Sequence, residues 1–198
     1  MKRTITVTGS ASVSVAPDCA RLHCGVQVSG VNAQDALRRS NAAMQAIVAA
    51  LAGAGVAPAD VRTHGPNLWP DEQRYLGSND VTVVVRDLAS LGSVIDGVAE
   101  AGGPDLTMRG VTFSVSDPIE HLPAARRAAM DAALVSATDL ATAGGAAVGE
   151  VVTITEPSVQ HAPVMARAEA FKMSTPVEPG TEELSVSVTV RYRLVDPS

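Results

Sequence analysis

Four histidines (His23, His64, His121 and His161) and two cysteines (Cys19 and Cys24) are the residues of this chain best suited to hold a metal or attack a substrate. No two histidines stand at the i, i+4 spacing that puts two imidazoles on one helical face, and no Cys-x-x-Cys occurs, so the spacing specifies no zinc site. His23 and Cys19 share the parity of one extended segment, but on its hydrated face and about 13 Å apart at ~3.3 Å per residue. Cys19 and Cys24 point to opposite faces of that segment and cannot bridge. Free thiols in a reducing compartment are expected. Apolar neighbours around Cys24 raise a thiol pKa and make it inert. Cys19, beside Asp18 and near Arg21, is the redox candidate.

Other chemistries find less. There is no Gly-x-Ser-x-Gly elbow and no Ser-x-x-Lys, and the many serines alternate along strand-like stretches where solvation explains them. Gly102-Gly103 and Gly144-Gly145 follow helical stretches as C-caps, whereas a phosphate cradle needs glycine before a helix. Asp117 and Glu120 read as the two ends of a capping box. No catalytic residue, metal ligand or cofactor is assigned. A net charge of −6 and only two lysines, Lys2 and Lys172, argue against nucleic-acid binding and against a polybasic membrane patch. Three of the five aromatics, Trp69, Tyr75 and Phe171, fall in stretches read as loops. Loop aromatics anchor interfaces or ligands; alternatively Trp69 folds over the sheet edge as a lid. With His64 at the same strand end, Trp69, Tyr75 and His64 are the interface or ligand candidates.

What must position these residues is an alternating sheet. Ile5, Val7, Ala11, Val13 and Val15 alternate with Thr and Ser from Thr4 to Ser14, one face buried and one hydrated. Gly9 interrupts the apolar face and predicts a bulge. After a turn at Ala16-Pro17-Asp18, a second strand sets Leu22, Cys24, Val26 and Val28 inward and Arg21, His23, Gln27 and Ser29 outward. Asn32 caps a helix whose apolar face is Leu37, Met44, Ile47, Val48 and Leu51, ending at Gly53 and Gly55. Residues 61–68 read as extended and Trp69-Pro70-Asp71 as a break. Further strands follow at Val81 to Val85, 106–116, 148–155 and Leu184 to Leu194, with helices starting at Asp87 and Asp117. The stretch 156–180, with four prolines, reads as a long loop.

The order ββαββαβαββ predicts an α+β fold, a mostly antiparallel sheet covered by about three helices. Short turns between adjacent strands imply antiparallel pairing. A length of 198 residues suits one domain over 1–198, or two subdomains sharing a sheet. The first and last strands are expected to pair with each other or with a neighbouring subunit. The start reads as strand, not as an apolar leader, and no run of ~18 apolar residues occurs. A cytoplasmic chain without membrane insertion is therefore expected, periplasmic or secreted only if a leader has been removed.

Several motifs in order resemble the SIMPL-domain family, the YggE-like and periplasmic immunogenic proteins of bacteria. They are Ile5-Thr6-Val7-Thr8-Gly9 running to Val15-Ala16-Pro17-Asp18; Leu51 to Val56; Asp60-Val61-Arg62-Thr63; Tyr75 to Val83 with Arg86-Asp87-Leu88; Gly110 to Asp117; and Pro179-Gly180 before the last strand. The resemblance covers nearly the whole chain. It implies an α+β fold, homo-oligomers that are sometimes large and hollow, and links to oxidative and envelope stress. It implies no agreed enzyme activity and no transferable catalytic residues. The expectation is a non-catalytic protein acting through self-association and protein contacts. The alternative is a small-molecule binder or weak enzyme with a pocket near Trp69.

Overall fold

The alternation between Ile5 and Val15 forms strand β1 (Thr4–Val15) in the computed structural model, which describes residues 3–157 and 179–197. Its partner is the last strand, β7 (Glu182–Val195), antiparallel and unbroken from Thr4↔Arg193 to Val15↔Glu182. With β6 (Ala147–Thr155) on the other side of β7, the sheet order is β1-β7-β6. Helix α3 (Leu122–Ala143) covers the apolar face with a stripe of small residues: Ala125, Ala129, Ala133, Ala137 and Ala141, four apart and buried. The first four, together with Leu122, Val7, Val186, Val188, Val190 and Tyr192, form this unit's core. The bulge expected at Gly9 does not form, because the register passes through Gly9↔Val188 without a shift. Gly9 is instead where the helix backbone comes closest. A Cβ there would overlap the Ala129 carbonyl oxygen and the Ala133 nitrogen. The predicted start at Asp117 is a 3-10 turn (Pro118–His121), capped by the Asp117 carboxylate accepting from the Ile119 N–H at 3.0 Å. Glu120 pairs with His121 at 3.3 Å rather than completing a capping box among the described residues.

The second compact unit holds β2 (Cys19–Gly30), α1 (Ala33–Gly53), β3 (Val61–Asp71), β4 (Arg74–Val85), α2 (Leu91–Gly102) and β5 (Leu106–Ser114). Its sheet order is β3-β4-β2-β5, antiparallel throughout. Leu22, Val26, Val81 and Val83 face Met44, Ile47 and Leu51 of α1 and Leu91, Val94 and Val98 of α2 in one core. Asn32 caps α1 by accepting from the Asp35 N–H at 2.8 Å. The buried face of α1 begins with Ala36 and Ser40, small residues that sit against Gly30 and Gly77, while the expected Leu37 and Val48 are half-buried.

Two pairing expectations need correction. β1 and β2, despite the short link between them, do not form a hairpin: β1 pairs with β7, and β2 with β4 and β5. Asp18 shows what holds the chain after that link, since its carboxylate accepts from the Ser116 N–H at 2.7 Å and the Ser116 hydroxyl at 2.5 Å, at the far end of β5. The break at Trp69-Pro70-Asp71 is also absent. β3 continues through it and turns at Glu72 and Gln73 into β4, with Asp71↔Arg74 closing the hairpin. Pro66 and Pro70 are tolerated because β3 is the sheet's edge, where a missing N–H costs no ladder bond. Most of the expected 156–180 loop, Phe171 included, lies outside the described residues. No helix among the described residues is long and apolar enough to cross a membrane.

Candidate functional site

The helices cover one face of the β3-β4-β2-β5 sheet, and the polar side chains gather on the other. Residues directly opposite each other in a sheet point to the same side. His23↔Thr82↔Arg62 therefore forms one row across β2, β4 and β3, with Arg21↔Val84 in the next. His64 joins them through an irregularity between Thr63 and Pro66, where Gly65 takes a φ of +57°. The Thr82 hydroxyl lies 2.8 Å from His64 Nε2 and 3.2 Å from His23 Nδ1, bridging two imidazoles from strands on either side. The short side chains of Thr82 and Val84 form a floor and the four basic residues form the walls. They enclose an open cavity of about 420 Å³.

The charges here are unequal. Asp60 lines the cavity, but Arg86 clamps its carboxylate with two bonds of 2.9 and 2.7 Å. Those bonds hold the Asp60 carboxyl below its ordinary pKa. Asp80, next along β4, is held by Arg109 at 3.1 Å through both oxygens. Arg21 and Arg62 have no ion pair with any described residue.

The candidates from sequence fall in different places. His64 is in this cluster. Trp69 and Tyr75 are in paired strands, not in a loop, and they face opposite ways. Trp69↔Leu76 belongs to the open face, whereas Tyr75↔Gly30 belongs to the α1 side. Trp69 is 39% exposed, further along the edge strand than His64. Cys19 has the parity of the hydrated face, yet it is 5% exposed, its thiol donating to the Ser114 carbonyl at 3.2 Å. Burial pushes the Cys24 thiol up to about 11, with Asp80 adding to the shift. Both thiols are free. Among the described residues no three metal-ligating side chains gather. Of the rest of the cluster, sequence reasoning weighed His23 only as a metal ligand and Arg21 only as a neighbour of Cys19, and it missed Arg62 and Thr82. The signal that marks them is a repeated Arg-x-His, Arg21-Leu22-His23 and Arg62-Thr63-His64, on two strands that flank a third.

The class these features define is an α+β protein built of two antiparallel sheets, one covered on one face by a single helix and the other by two. The chain belongs to the SIMPL family, described as a protein of unknown function (DUF541), whose model matches residues 5–192. The 26 kDa periplasmic immunogenic protein of Brucella melitensis is 31% identical over 216 residues, which cover 96% of this chain and 84% of that protein. The uncharacterized protein YggE of Escherichia coli is 28% identical over 159 residues, 76% of this chain and 64% of that one. A crystal structure of an unknown protein from Galdieria sulphuraria overlaps 87% of this chain and 82% of its own, at 10% identity and a TM-score of 0.24.

Proposed function

We propose that this chain acts through self-association and protein contacts, without a catalytic step of its own, and that copies join along the outer edge of β1. The observation that carries this is the character of that edge. The Leu194 N–H donates to the Arg3 carbonyl at 3.0 Å, which makes Arg3 and Leu194 a bonded pair. Bonded and non-bonded pairs alternate in an antiparallel ladder. Odd-numbered residues of β1 therefore bond β7, while Thr4, Thr6, Thr8, Ser10, Ser12 and Ser14 turn their N–H and C=O groups to the free edge. The side chains agree, since non-bonded pairs bring side chains closer: the Thr8 and Thr189 hydroxyls are 3.3 Å apart and those of Ser10 and Ser187 3.2 Å.

Edge strands are commonly blunted by proline, charge or a bulge. β3 has two prolines and an irregular register. β1 has no proline and no charged residue over its 12 residues, and its ladder is unshifted. Such an edge suits pairing with its own copy about a two-fold axis. The name of the Brucella relative favours the periplasm over the cytoplasm as the place of action. A part in envelope stress belongs to the same reading, on the family resemblance.

Light scattering and native mass spectrometry at micromolar concentration test it. The parent chain is expected as a multimer. Ser10→Pro, which removes an outward N–H and spares the β7 ladder, is expected to dissociate it without changing its circular dichroism. A strictly monomeric parent, or a Ser10→Pro chain that assembles like the parent, would overturn the proposal.

A further inference from the structure

We propose that Arg21, His23, Arg62 and His64 form a binding site for a small molecule bearing a phosphate group. The site uses other residues than the β1 edge, and phosphate binding is read independently of assembly. Its shape comes from the sheet. β2 and β3 stand two strand spacings apart, about 10 Å, on either side of β4. Long basic side chains rise from the outer two strands and short ones from the middle, leaving a groove with a floor at Thr82 and Val84.

Electrostatics supply the second argument. The chain carries 21 acidic and 15 basic residues, yet here two arginines without ion pairs and two histidines converge. The carboxylate that lines the groove and the next one along β4 are committed, Asp60 to Arg86 and Asp80 to Arg109. Exposed side chains of like charge held on one face gain from a shared counter-ion. Two guanidinium forks match the oxygens of a phosphate, and the charge of a dianion matches the excess.

The hydrogen bonding adds a third. His64 Nε2 and His23 Nδ1 are engaged with Thr82, which leaves His64 Nδ1 and His23 Nε2 to a ligand. With both rings neutral, the Thr82 hydroxyl receives from one and gives to the other. The other charged groups around the groove, Asp60, Asp80, Arg86 and Arg109, are already paired. A cavity of about 420 Å³ is ample for bare phosphate and lies within the range of small-ligand pockets. Val84 and Ala59 offer apolar contact to the rest of the molecule.

Inorganic phosphate and pyrophosphate are the probes, titrated against the full chain at constant ionic strength with acetate as the control anion. Imidazole resonances are followed by NMR. Saturable shifts of both His23 and His64 are expected, with pyrophosphate binding more tightly than phosphate because it offers more oxygens to the two guanidinium forks. The double variant Arg21→Ala, Arg62→Ala is expected to weaken binding by about tenfold or more. If that variant does not fold, Arg62→Gln and His64→Gln singly serve the same comparison. Absence of saturation, equal response to acetate, or affinity unchanged by the substitutions overturns the site. So does a double variant that loses self-association while the parent shows no phosphate response, which would assign the cluster to a protein contact.

Discussion

Burial and local hydrogen bonding decide which single side chains of this protein can react. Cys24 is 1% exposed, and its thiol pKa rises from 9.0 to about 11. The unfolded chain therefore ionises first as pH rises, and the folded state loses ground. Stability due to this thiol is fully present below about pH 9 and is lost as pH climbs to about 11, by about 2–3 kcal/mol. Equilibrium unfolding of the parent against Cys24→Ala checks this: the difference between them is expected to shrink over that window, and a constant difference would refute the burial argument. Cys19 is expected to resist thiol reagents in the folded chain and to react fully in denaturant. Rapid oxidation of folded Cys19 would restore the redox role that its sequence neighbours suggest. The burial of Cys24 was legible in its apolar neighbours. The burial of Cys19 was not, because its cover includes Ser114, 95 residues away. The basic cluster was legible only as two Arg-x-His triplets, since the Thr82 that joins them is on a third strand.

Elements announced themselves by alternation and capping, and all ten arose in the expected order. What alternation cannot carry is the identity of a strand's partner. Apolar and polar faces read the same whether β1 pairs with β2 or with β7. Pro70 misled for a related reason, since proline forbids a central strand but not an edge, and edge position is a property of the whole sheet. Gly9 likewise has two meanings, a bulge or a helix in close approach, and only the register separates them. The second meaning predicts a steep cost. Gly9→Ala forces the backbones of α3 and β1 apart and is expected to destabilise by about 3 kcal/mol, near the upper end for overpacked sites. Gly97 is the contrast: it lies inside α2, and a Cβ there meets nothing within 4 Å. Gly97→Ala is expected to stabilise by about 0.5–1 kcal/mol through helix propensity. Urea unfolding of both variants decides the matter. A mild Gly9→Ala would mean that the helix does not rest on that glycine.

Over the whole molecule, the chain closes one unit from its two ends and a middle segment, while the other is nearly continuous. Each has its own sheet and its own core, with Val7, Ala129 and Val188 in the first and Leu22, Ile47 and Val83 in the second. Separate cores of this kind permit separate unfolding, because cooperativity follows shared buried contacts. The chain's one tryptophan, Trp69, lies in the second unit and reports on it alone. Gly9→Ala strikes the first unit. In urea it is expected to move part of the far-ultraviolet circular dichroism transition to lower denaturant and to leave the Trp69 fluorescence transition where it is in the parent. If both signals shift together, the chain unfolds as a single block and the two cores are coupled. The reciprocal variant, Gly30→Ala, which would overlap Ala36 in the second unit, is expected to move Trp69 fluorescence and spare the remaining dichroism. The pair of variants matters because a destabilised first unit also loses the β1 edge. Assembly by Gly30→Ala and its loss in Gly9→Ala would place self-association on the unit that holds β1, independently of any substitution on the edge itself.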